Sequence, residues 1–378
     1  MGVNFPFFQN SSYQRWFDQT RSGKIAHAQI IVSKSEGLAW PAVLEYIKRI
    51  MCDQPNPDDW GGCGVCDSCI QVSMFTHPDV HYVFPISGGD GEGASSKTSD
   101  HYLPEFRTFL KMSPFPMFKN WVKTISAQKK VLQIGVKEAS LVLTKLSLKS
   151  HSGKYKILVL WLPEKLGSAA ANKLLKTIEE PNEKTLLLLI THNLPSVLKT
   201  IVSRCLVFSL PPIGEKGLEN WLKKERGVAP DTAEVLSKMS CGDPGLALDY
   251  LENRENLKVF AEAFVSSMKI SFKKDFHELH WWVEELGSWG RGQTQEYFTF
   301  SSVVISQIAK HKSIGGGAVL LDWFPEIPFK TEGFSKLLKL SSLPIIMSVF
   351  DEGRIDIGRN LNPKIVLFDT GIKMMDVL

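Results

Sequence analysis

Cys52, Cys63, Cys66 and Cys69 follow the pattern C-x10-C-x2-C-x2-C. Four thiolates at this spacing can close around one ion as a tetrahedron, the ligand set of a structural zinc with no position left for water. Gly61, Gly62 and Gly64 supply the tight turns that bring the sulfurs together. A catalytic zinc would need an open coordination site and is not expected. The alternative is four free thiols in a loop, since disulfides do not persist in a reducing compartment. Cys205 and Cys241 stand apart and read as small core residues.

A second set of positions is informative for what it lacks. A phosphate loop joins a strand to a helix and needs G-x4-G-K-[ST]: glycines for close backbone approach, a lysine for the β- and γ-phosphates, a hydroxyl for magnesium. Residues 27–46 (HAQIIVSKSEGLAWPAVLEY) have the strand–turn–helix pattern, but the corresponding places read Lys34, Ala39, Trp40 and Pro41. An indole stands for the lysine, and a ring without even an N–H stands for the hydroxyl. Where the strand beginning at Ile157 ends, magnesium would require an Asp and the attacking water a Glu. Trp161 and Leu162 occupy those places. Glu164 lies beyond the strand end and reads more naturally as a solvated loop carboxylate beside Lys165 than as a displaced catalytic base. No functional ATP site is expected in this chain.

These residues must be held by strands and helices. Apolar runs at Gln29–Val32, Val80–Phe84, Ile157–Leu162, Leu186–Ile190 and Leu206–Leu210 alternate with helical patterns, as in a parallel sheet covered on both faces. The first 210 or so residues therefore read as α/β. Within them Ser87–Asp100 is a polar loop, and the aromatic, proline-bearing stretch to about Lys130 (SPFPMFKNW) reads as an insertion with local structure of its own. Pro211-Pro212 closes the sheet, because proline cannot extend a central strand. Beyond Asn253 the period changes to that of helices: Leu257, Phe260, Phe264 and Met268 share one face, and helical segments run on around Gly315-Gly316-Gly317 to the C-terminus. With 44 basic and 40 acidic residues among 378, the net charge of +4 excludes a histone-like DNA binder, so any nucleic-acid contact must be local. The first residues form no signal peptide, the myristoylation pattern after Met1-Gly2 is incomplete, and no apolar run is long enough to span a membrane. A cytoplasmic protein is expected.

Together the segments resemble the clamp-loader branch of the AAA+ superfamily. The likeness runs through His27-Ala28, the four-cysteine insert, Gln133–Val136, Ala170–Lys176 with Glu179-Glu180-Pro181, Ser203-Arg204-Cys205 and Gly242–Ala247. A weaker echo is Arg359–Lys364. The resemblance implies an AAA+ (RecA-like) parallel-sheet domain over 1–211, with the zinc module at about 52–69 and the insertion at about 84–130. It further implies a small helical lid over 212–252 and an all-helical collar over 253–378.

In proteins that this chain resembles, the Ser-Arg-Cys arginine reaches into a neighbour's ATP site. Arg204 would be that trans-acting finger, between Ser203 and Cys205; the alternative is a surface arginine in a local salt bridge. The motor subunit's second-domain arginine has its counterpart here in Gly245. Losses in the phosphate loop, the magnesium carboxylates and that arginine, with Ser-Arg-Cys retained, point to the delta-prime type. Such a subunit serves the sites of gamma/tau motor subunits and lacks its own. The resemblance implies those motors, a delta subunit, the sliding clamp and primer-template DNA as partners, within a DNA-directed DNA polymerase holoenzyme. Lys145, Lys149 and Lys154 could face the DNA backbone, though a solvated helix face is the simpler reading. Two rival classes are an AAA+ ATPase with a divergent nucleotide site, and a zinc-bearing nucleic-acid-binding protein outside any clamp loader.

Overall fold

The computed structural model describes residues 11–56, 60–87, 97–127, 130–314 and 319–378. Met1-Gly2, most of the polar loop 87–100 and the Gly315–Gly317 break lie outside them. The chain forms two compact units, one of residues up to Gly217 together with Asp243–Gly245, the other of Leu218–Gly242 and Leu246–Leu378.

The first unit contains, in chain order, α1 (Ser11–Ser22), β1 (Ala28–Ser33), α2 (Ala39–Met51), α3 (Asp67–Ser73), β2 (Val80–Val83), β3 (Ile86–Ser87), α4 (Leu103–Met112), α5 (Phe118–Thr124), β4 (Leu132–Gln133), α6 (Val136–Ser147), β5 (Lys156–Trp161), α7 (Ser168–Glu179), β6 (Thr185–Thr191), α8 (Lys199–Val202) and β7 (Leu206–Leu210). Five strands form a parallel sheet in the order β2-β5-β6-β1-β7. Every residue of β5 and β6 is buried, which explains the near-continuous apolar runs KILVLW and LLLLI: a strand covered on both faces has no side for polar groups. Strand alternation divides the work. Ile30, Leu158, Leu160, Leu187 and Leu189 pack under α6 and α7 with Ala139, Val142, Ala170, Ala171 and Leu174. The intervening residues face the other way, where α2 lies against β1 and β6.

The five expected strands are present to within a residue or so at each end. One departs in character. β7 lies at the sheet edge, and Leu206 and Val207 are exposed. It ends at Leu210, just before Pro211-Pro212. The insertion is tied off at its base by a short antiparallel ladder, β3 with β4, pairing Ile86 with Gln133 and Ser87 with Leu132. Buried polar residues brace the connections. The Lys156 ammonium donates to the carbonyls of Lys145 (3.0 Å), Lys149 (3.2 Å) and Leu148, closing the C-terminal end of α6. Asp79 accepts from the amides of His151 (2.7 Å) and Ser152 (2.8 Å) and gathers the turn before β5.

The second unit is helical: the rest of α9 (Glu215–Arg226), α10 (Pro230–Met239), most of α11 (Pro244–Glu252), then α12 (Arg254–Lys273), α13 (Phe276–Leu286), α14 (Arg291–Ile314), α15 (Thr331–Leu337), α16 (Leu343–Gly358) and α17 (Pro363–Val377). Leu257, Phe260, Phe264 and Met268 are all buried, as their spacing requires. The long helices α14, α16 and α17 make a collar-like region. Gly353 of α16 lets Phe298 of α14 approach so closely that an added Cβ would fall 2.8 Å from its ring.

Candidate metal centre and nucleotide cleft

The four sulfurs of Cys52, Cys63, Cys66 and Cys69 lie within 4.8 Å of one another. Cys52 Sγ and Cys66 Sγ are 4.0 Å apart. Bonds of about 2.3 Å to a tetrahedral zinc would set sulfurs about 3.8 Å apart, so the donor set fits such an ion with little adjustment. Cys52 follows the last residue of α2; Cys66 is the N-cap of α3, and Cys69 sits in that helix's first turn. Backbone amides point at the sulfurs: Cys63 N to Cys52 Sγ at 3.2 Å, Cys66 N to Cys63 Sγ at 3.3 Å and Cys69 N to Cys66 Sγ at 3.4 Å. Such donors stabilise thiolates. Those of Val65 and Cys66 bring the Cys63 thiol down to about 6, whereas burial pushes the Cys52 and Cys69 thiols up. A cation among them is what would let all four ionise together.

Of the three glycines, Gly64 has a left-handed backbone (φ +76°), and a Cβ on Gly62 would collide with Cys69 Sγ and come within 2.9 Å of Lys48 O. The module is also tied to the turn before β5: Lys154 Nζ donates to Met51 O (2.9 Å), Cys52 O (2.7 Å) and Asp53 Oδ1 (2.7 Å). Lys154 is therefore engaged in structure, as is Lys145, which pairs with Asp100. Cys205 is half-buried, but Cys241 is exposed on a turn with φ +51°, which corrects its reading as a core residue.

The strand–turn–helix expected around residues 27–46 is present as β1 and α2. Lys34 is exposed, while Ala39, Trp40 and Pro41 are buried in the first turn of α2. Trp161 ends β5, and Leu162 follows with a left-handed backbone (φ +61°). The structure brings the two indoles together: their ring centroids are 5.8 Å apart, edge to face. Where a charged ligand would need a lysine facing carboxylates, the chain has one aromatic contact, and the Trp40 Nε1 has no hydrogen-bond partner among the described residues. Phe106, Phe109 and Phe118 of the insertion join this cluster, each about 5.8 or 5.9 Å from an indole. Sequence reasoning missed that destination, although the density of aromatic residues in SPFPMFKNW was its signal. Glu164 is not freely solvated; it accepts from Thr191 Oγ1 at 2.9 Å, at the end of β6.

Ser203 and Arg204 are exposed on the turn between α8 and the edge strand β7. The Arg204 guanidinium pairs through Nε with Glu179 at the end of α7, and its Nη1 donates to Thr200 O at 2.9 Å. Its Nη2 has no partner among the described residues. The pairing of Arg204 with Glu179 was not legible from the sequence, where they stand 25 positions apart.

Residues 8–214 match the model of the family described as DNA polymerase III, delta subunit. The chain belongs to that family. Its curated relatives carry the name DNA polymerase III subunit delta′. The one from Haemophilus influenzae is 27% identical over 248 residues, covering 63% of this chain and 61% of the relative. The one from Escherichia coli is 27% identical over 225 residues, covering 59% and 54%. The matched region thus spans about three-fifths or less of these relatives. The solved structure of a gamma subunit-related protein from Thermotoga maritima aligns over 96% of this chain and 99% of that one, at 15% identity and a TM-score of 0.38. The delta-prime-related assignment stands on the sequence family. No helix among the described residues is long and apolar enough to cross a membrane.

Proposed function

We propose that this chain is the delta-prime-type subunit of a bacterial clamp loader, holds one structural zinc, turns over no ATP itself, and lends Arg204 to the ATP site of a neighbouring gamma/tau motor subunit. The observation that carries this reading is the contrast between two places in one α/β unit: its own phosphate-loop position is sealed by Trp40 against Trp161, while Arg204 is exposed on the turn before the edge strand. A planar, exposed guanidinium can bridge phosphate oxygens on a neighbouring subunit. Residues 212–252 would serve as lid and 253–378 as collar, in an assembly with the motors and a delta subunit that places the sliding clamp on primer-template DNA in the cytoplasm. Within the polymerase holoenzyme the chain would be a non-catalytic part.

The test is steady-state ATP hydrolysis and clamp loading by reconstituted complexes with clamp and primed DNA, after size-exclusion chromatography has shown full assembly. Arginine fingers are worth about 10³ to 10⁵ in rate at the site they serve. Since one motor site loses its finger, Arg204→Ala should lower total hydrolysis in part and loading further. Arg204→Lys should rescue poorly, because a point charge does not reproduce the two-pronged contact. An assembled Arg204→Ala complex that hydrolyses and loads like wild type would refute the role.

A further inference from the structure

The insertion ends up in a specific place. An ideal Cβ on Gly37, in the turn between β1 and α2, would lie 2.6, 2.7 and 2.8 Å from the C, O and Cα atoms of Phe115. These are main-chain atoms, so no side-chain rotation could relieve the contact. Three residues on, the backbone N–H of Phe118 is donated to the Glu36 carboxylate. A phosphate loop presents main-chain donors to its ligand; here the loop presents an acceptor, and the insertion supplies the donor. Gly245 also lies against Phe115: an added Cβ there would sit 3.4 Å from both Phe115 Cβ and Phe115 O. By the family resemblance, Gly245 stands where the motor subunits carry their second-domain arginine. Phe109 stacks on Trp161 at 5.8 Å and Phe106 meets Trp40 edge-on at 5.8 Å, so the same insertion also covers the lysine and magnesium positions. Glu138, buried in α6, accepts from the backbone and hydroxyl of Ser99 and anchors the start of the segment.

We propose that the insertion is a built-in occupant of the nucleotide cleft: residues 113–118 lie on Gly37 where a triphosphate would sit, so nucleotide is excluded by an occupying segment as well as by missing ligands. This rests on the reading above that the turn after β1 is a degenerate phosphate loop. It gives the insertion a role, that of holding the α/β unit in one arrangement without nucleotide, and it predicts that restoring the lost residues would not restore binding.

The test is hydrogen exchange of the full chain, read at residues 34–42 and 113–120. Gly37 does not have a left-handed backbone, so an alanine there would be neutral or slightly stabilising if nothing lay on it. With Phe115 seated there, Gly37→Ala should lower Tm and speed exchange of the Phe118 amide at least about tenfold. Glu36→Ala, which removes the acceptor without adding bulk, should release the same amide and provides the reading if Gly37→Ala does not fold. In parallel, Trp40→Lys/Pro41→Thr is titrated with a fluorescent Mg-ATP analogue and should show no binding while the insertion is intact. Unchanged exchange at residues 113–118 in both single variants, or micromolar binding by the double variant, overturns the proposal. Either result leaves a wild-type chain without ATP binding, and so leaves the proposed function standing. Tight Mg-ATP binding by the wild type would instead overturn that function and this proposal together.

Discussion

At the scale of single residues, Arg204 is bound in cis and yet available. Its pair with Glu179 is solvent-exposed on both sides, and such pairs contribute about 0–1 kcal/mol. Arg204→Ala should therefore change the stability of the isolated chain by less than about 1 kcal/mol, measured by urea unfolding. A loss of activity in the assembled complex would then belong to the proposed trans-acting role of Arg204 and not to misfolding. The cysteines predict the opposite balance. Cys63→Ser/Cys66→Ser removes two of four thiolates, and metal analysis should find about one zinc in the wild-type chain and none in the variant. Equal zinc in both would contradict the metal centre.

At the scale of elements, the zinc module and the edge of the sheet should respond to different triggers. The module hangs from the C-terminal end of α2, from α3 and from the Lys154 contacts, while β5 and β6 are buried along their whole length. Chelation should speed amide exchange through residues 60–74 and leave residues 156–161 and 185–191 protected; simultaneous loss of protection in the sheet would show that the ion organises more than its own loop. The edge strand β2 carries a pH response. Burial first, then the nearby Lys145 and Lys156, lowers the pKa of His81 from 6.5 to about 4, with Asp100 and Asp79 opposing. Between these values the unfolded chain binds the proton that the folded chain refuses. Its contribution to stability is therefore fully present above pH 6.5 and is lost as pH falls towards 4. His81→Gln should flatten that part of the stability profile in urea titrations at pH 7, 5.5 and 4.5. In the helical unit, Gly353→Leu should drive a side chain into Phe298 and cost about 1–3 kcal/mol, seen as faster exchange in α14 and α16.

At the scale of the molecule, the proposed function makes ATP handling collective: the chain alone should show no calorimetric Mg-ATP binding, and micromolar binding would contradict that. Much of this was legible in the sequence because it depends on local pattern. Short apolar runs bounded by turn residues match strands of a covered sheet, and four cysteines within eighteen positions need only short turns to meet, so the strands and the sulfur cluster follow from spacing, though not that the run at Leu206–Leu210 lies at an exposed edge. Trp40 and Trp161, by their types alone, are the basis for the proposed loss of the lysine and the carboxylates. What only the tertiary structure decided depends on chain segments far apart in sequence: that the two indoles touch, that Phe115 lies on Gly37, that Glu179 holds Arg204, and that Cys241 is exposed. The physical reason is that periodicity reports which face of an element is apolar, whereas the partner of that face is selected by packing among all the elements at once.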